Sequence, residues 1–135
     1  MCFLKVYSDK DSFEAFEKKT KIPVYSRYEK GDVFGKNKVK TDFTISFDVS
    51  EKEWDDLEGQ VQDAIKFLTT YYEEIEQLLS THTITDAFLD FPIYSRLYGD
   101  IVNQNDHLPR ELIILAGRLS LGIEMAIYSQ DAFSE

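Results

Sequence analysis

The chain has 135 residues, a formal net charge of −10, and a composition that is 43% hydrophobic and 14% aromatic. That is one domain's length with enough apolar mass for a core, and too aromatic for a disordered chain. The carboxylate excess opposes phosphate, so nucleic acid is not an expected partner, and no apolar run approaches the roughly 20 residues of a membrane span. Cys2 is the only cysteine, so no intrachain disulfide can form, and it reads as a small strand residue.

Cys2, Leu4 and Val6 alternate with Phe3, Lys5 and Tyr7, which predicts a strand with one buried face. This opening lacks a basic stretch followed by a long apolar run, so no signal peptide and a cytoplasmic location are expected. Asp11 with Glu14 resembles a capping box before a first helix ending near Thr20, ahead of Ile22-Pro23. Val24–Tyr28 reads as extended, and Glu29-Lys30-Gly31-Asp32 as a turn. Lys36, Lys38 and Lys40 alternate, as lysines that guard an exposed edge strand do.

Phe43, Ile45, Phe47 and Val49 share one face of a strand over 41–49. Ser50 with Glu53 is a capping-box pattern. It predicts a long helix whose apolar stripe runs through Trp54, Leu57, Val61, Ala64, Leu68, Tyr71, Ile75 and Leu78, with Ile65 widening it and a break at Gly59. Ala87, Leu89 and Phe91 predict another strand. Residues 94–107 read as a long polar connection. Pro109 suits the first turn of a third helix, Gly122 its stop, and Ile123–Tyr128 a last strand before a loose tail from Gln130.

This order predicts a single α+β domain over residues 1–135. Its first six elements have the ferredoxin-like, split β-α-β order: an antiparallel or mixed sheet with helices on one face, extended by a C-terminal helix and strand.

No phosphate-binding glycine loop, nucleophile elbow or metal-ligand spacing occurs. Neither a cofactor nor a metal is therefore predicted, and no catalytic residue is assigned. His107 beside Asp106 and Asp100 is the best candidate base, yet no nucleophile accompanies it and a solvated loop histidine is the simpler reading. Asp86, Asp90 and Glu124 could pair as carboxylates but fall at polar-facing strand positions.

Charge divides unevenly along the chain. Residues 1–40 hold ten Lys/Arg against six Asp/Glu, and residues 41–135 hold five against nineteen. The acidic run Glu51, Glu53, Asp55, Asp56, Glu58 sits where a helix dipole favours negative charge, and it is also the best surface for a basic protein. Tyr94 and Tyr98 fall outside the apolar stripes and flank Arg96, and tyrosine and arginine are enriched at interface hot spots. Glu53, Asp56, Tyr94, Arg96 and Tyr98 are the candidate partner-binding residues.

Ile22-Pro23, the Glu29–Asp32 turn and the closing runs Leu108-Pro109-Arg110-Glu111-Leu112 and Leu121-Gly122-Ile123-Glu124-Met125-Ala126-Ile127-Tyr128 together resemble a family of small bacterial domains without assigned function. Some of its members look like immunity or accessory proteins of bacterial competition systems. The Tyr94–His107 insert and the Lys36–Lys40 stretch depart from that pattern. The resemblance implies a stoichiometric protein-binding domain. The alternatives are a small-molecule-sensing or regulatory module, and a small enzyme.

Overall fold

A computed structural model describes residues 1–131, so most of the expected tail lies outside the described residues. The elements in chain order are β1 (Cys2–Ser8), α1 (Glu14–Lys19), β2 (Val24–Tyr28), β3 (Val33–Phe34), β4 (Lys38–Val39), β5 (Phe43–Ser50), α2 (Leu57–Thr70), α3 (Tyr72–Thr81), β6 (Asp86–Tyr94), α4 (Arg110–Arg118) and β7 (Gly122–Tyr128). The chain is thus an α+β protein built on a five-stranded mixed sheet of order β2-β5-β1-β6-β7. β5 lies antiparallel to both β1 and β2, β6 antiparallel to β1, and β7 parallel to β6.

The alternation in β1 and β5 has the expected consequence. Cys2, Leu4, Val6, Ile45 and Phe47 are fully buried. They share one core with Ala87, Leu89 and Phe91 of β6, Val61 and Leu68 of α2, Ile75 and Leu78 of α3, and Leu112 and Ala116 of α4. Burial pushes the Cys2 thiol well above its ordinary pKa, which leaves it an inert core residue. The opposite sheet face is only partly covered, because Phe3, Lys5, Tyr7, Ser46, Asp48 and Phe88 are all half-buried.

Several boundaries differ from the pattern. Asp11 does not cap α1. Its carboxylate accepts from the Thr83 N–H, and the helix begins only at Glu14. Nor do Ser50 and Glu53 open a helix. The Ser50 hydroxyl donates to Asp63 at 2.7 Å and accepts from the Lys52 N–H, while Asp56 is the N-cap of α2, its carboxylate accepting from the Gly59 N–H at 2.8 Å.

The long helix is indeed two, but the break is at Tyr71 rather than Gly59. The Thr69 hydroxyl donates back to the Ile65 carbonyl at 2.7 Å, a bond that bends helices. Of the expected stripe, Val61 and Leu68 are buried, whereas Leu57 and Ile65 are only half so. The left-handed residue after α4 is Ser120 (φ 57°), and Gly122 already belongs to β7. The lysine-rich stretch forms a separate two-stranded hairpin, β3–β4, rather than a guarded edge of the main sheet. Lys40, whose backbone continues the hairpin by bonding Asp32 and Gly31, lays its ammonium over the rings of Tyr28 (4.4 Å) and Phe34 (4.3 Å).

Candidate partner-binding surface

The surface is assembled at the C-terminal end of β6. Beyond Asp90, β6 has no β1 partner, so Pro92 costs no ladder hydrogen bond on that side. The vacated side is taken by the turn that precedes α2. The Tyr94 N–H donates to the Trp54 carbonyl at 3.0 Å. Gln60, fully buried, ties the same two segments by donating its amide to the carbonyls of Glu53 and Pro92, each at 3.0 Å. The acidic turn is thereby fixed against the sheet end, and Glu53 and Asp56 reach solvent beside Tyr94.

Rings consolidate the junction. Trp54 stacks on Tyr128 with centroids 4.6 Å apart and an interplanar angle of 19°, and lies 5.3 Å from the Tyr94 ring. Such pairs contribute about 0.5–1.5 kcal/mol beyond area burial. From Tyr94 the chain enters the connection that ends at α4. Its base is tied: the Arg96 N–H donates to the Gln104 side chain at 2.8 Å, the Arg96 guanidinium to Asp106 at 2.9 Å and to the Asn105 carbonyl, and the Gln104 amide to Asp106 at 2.8 Å. A second tie joins it to the end of β7, where the Gln130 side chain donates to the Ser95 carbonyl at 2.9 Å.

Between those ties the loop turns apolar side chains outward. Leu97 is 52% exposed, Tyr98 61%, Ile101 45% and Val102 90%. Compact loops closed at the base and packed on themselves commonly carry function. Glu53, Asp55, Asp56 and Glu58 of the acidic turn and Asp100 of the loop are likewise exposed.

Of the five residues singled out by sequence, Glu53, Asp56 and Tyr94 are brought together at the foot of the loop, and Tyr98 stands at its tip. Arg96 lies at the base of the loop. Its guanidinium is spent on Asp106 and Asn105, so it holds the loop closed. Asp106 is correspondingly unavailable to orient His107, since both of its oxygens accept from Arg96 and Gln104. Trp54, Leu97, Ile101 and Val102 were missed. The one signal for the loop residues was three aliphatics in a stretch without helical or strand period.

The half-covered sheet face carries a groove of about 340 Å³ lined by Phe3, Lys5, Tyr25, Trp54, Asp90 and Tyr128 among others. Asp90, expected to be solvated, is only 8% exposed. One of its oxygens accepts from Lys5 at 2.8 Å and the other has no partner. Burial acts to lower the Lys5 pKa, but the hydrogen bond and charge of Asp90 outweigh it and hold the ammonium above its ordinary value. Among the described residues no helix is long and apolar enough to cross a membrane. Comparison of the chain with protein-family models, curated proteins and solved structures found no match.

Proposed function

We propose that this chain is a non-catalytic protein-binding domain, of the immunity or accessory kind, that engages a basic partner through the 95–108 loop and the acidic turn beside it. The observation that carries this reading is the loop. It exposes Leu97, Tyr98, Ile101 and Val102 while four hydrogen bonds within its own base hold it closed. A loop closed at its base loses less freedom on binding than a loose one, so its apolar tip gives affinity efficiently. The exposed carboxylates select a partner whose rim is basic.

The finer reading of the fold, as ferredoxin-like, draws support from the order β2-β5-β1-β6 with β5 antiparallel to both neighbours; β7 lies outside that pattern. A second functional reading, a small-molecule-sensing module, has the sheet-face groove and the unpartnered oxygen of Asp90 in its favour.

Affinity capture from the source organism separates the two. The full chain is compared with a Leu97→Ser/Val102→Ser variant, whose exposed positions leave the core intact. Under the binding reading a basic protein is retained in equal amount by the full chain and lost from the variant. Retention that ignores the loop, or none at all, would overturn it.

A further inference from the structure

We infer that the half-covered face of the sheet is a binding site for an uncharged saccharide, seated in the groove between the rings of Tyr7 and Tyr28 on one side and those of Phe3, Tyr25 and Trp54 on the other. All five rings line that groove, and its volume of about 340 Å³ falls within the range of small-ligand sites. The strand register builds its floor. Ser26 of β2 pairs with Ser46 of β5, and Ser46 with Lys5 of β1, so polar side chains form one row across adjacent strands. Neighbouring strands lie about 4.8 Å apart, which makes the row about 10 Å long.

Rings flank the row. Two residues along the strands in one direction, Tyr28 and Tyr7 both pair with Thr44. Two residues in the other direction, Phe3 stands on β1. The register shift between Val24 and Ser26 frees Tyr25 to bring its ring to Phe3, with centroids 4.5 Å apart, and bulges commonly re-aim a side chain in this way. Tyr7 and Phe3 are four residues apart on β1, about 13 Å along the strand.

The floor decides the chemistry of the ligand. Asp90 borders the groove, only 8% exposed, with one oxygen 2.8 Å from the Lys5 ammonium and the other buried without a partner. A buried acceptor left unmatched costs free energy that a donated hydrogen bond recovers. An ammonium has three N–H groups, of which this pair uses one, so the pair sets an unpartnered acceptor beside a multiple donor while its charges cancel. A hydroxyl donates and accepts at once and fits both this pair and the serine row. A cation would meet Lys5 and Lys40, which both line the groove, and an anion would meet Asp90 in a chain of net charge −10. A sugar ring has hydroxyls round its edge and C–H groups on its faces, so it matches the polar floor and the aromatic walls together; a flat heteroaromatic ring offers the faces but few hydroxyls. The groove lies outside the 95–108 loop, so this site stands whether or not that loop engages a protein.

Titration of the full chain with the neutral mono- and disaccharides of glucose, galactose, mannose and N-acetylglucosamine, up to about 10 mM to reach weak sites, tests the inference. Trp54 is the only tryptophan in the chain and borders the groove, so its fluorescence reports occupancy, and amide shifts of an isotope-labelled sample locate the ligand. The expected result is saturable binding of at least one of these sugars, with shifts centred on Ser26, Thr44 and Ser46. Tyr25→Ala, at a position 64% exposed, and Ser46→Ala should each weaken it by about two- to tenfold. Glucosamine and glucuronic acid are the cationic and anionic probes, and both should bind more weakly than the best neutral sugar. Binding by none of the neutral sugars, preference for either charged one, or an affinity indifferent to both substitutions would overturn the proposal. No protein partner enters the measurement, so its failure is distinct from failure of the loop to bind one.

Discussion

Asp56 and Gly59 act as one unit at the start of α2. The Asp56 carboxylate reaches the Gly59 N–H, and a Cβ on residue 59 would lie 2.4 Å from an oxygen of that carboxylate. The glycine is therefore there for the cap rather than for a break. Two opposing effects follow for Gly59→Ala: the displaced cap costs about 0.5–2 kcal/mol, and the better helix former returns about 0.5–1 kcal/mol. In the native background the change should be near neutral or destabilising. In an Asp56→Ala background, where no cap remains to be lost, the same change should stabilise by about 0.5–1 kcal/mol. Denaturant unfolding of the four proteins of this cycle checks the coupling, and equal effects of Gly59→Ala in both backgrounds would deny it.

The strands were the most legible elements, because a period of two marks both their existence and their buried face. β1, β5 and β6 follow from Cys2-Leu4-Val6, Phe43-Ile45-Phe47 and Ala87-Leu89-Phe91. Helix ends were less legible, since their caps are settled by competing partners. Ser50 and Asp11 have the right chemistry for capping but are claimed by Asp63 and by Thr83, which are distant in sequence. The misplaced start made Trp54 look like the first residue of a core stripe, when it belongs to a turn and stacks at the sheet end. The corrected stripe makes an energetic distinction. Leu68 is completely buried against the sheet while Leu57, one residue after the cap, is half-buried. Leu68→Ala should cost about 2–5 kcal/mol through the lost contacts and the cavity, and Leu57→Ala distinctly less. Equal losses in chemical denaturation would show that the helix faces the sheet differently.

At the scale of the whole molecule, the tied loop and the acidic turn meet at one end of the sheet, through hydrogen bonds from Tyr94 and Gln60 that no local pattern announces. That explains how much of the surface could be read in advance. Tyr94 and Tyr98 stood out because they fit no apolar stripe, and the carboxylates because they were dense. The tie from Arg96 to Asp106 was not legible, because the two lie ten residues apart along a loop without periodicity. The exposure of Leu97, Ile101 and Val102 is a consequence of loop closure, which composition does not specify.

Two roles follow, separable by kinetics. Peripheral carboxylates should govern encounter with a basic protein, and the apolar tip should govern residence. Because Asp56 also caps α2, the steering test uses Glu53→Lys with Glu58→Lys, both on exposed side chains. The most direct measurement is the association and dissociation rates of the captured partner at low and physiological salt, for the native chain, this charge-reversed variant and Tyr98→Ala. The charge reversal should slow association, most strongly at low salt, and leave dissociation nearly unchanged, while Tyr98→Ala should speed dissociation by about tenfold or more. Rates indifferent to all three substitutions would contradict the assignment of this loop and turn as the partner-binding surface.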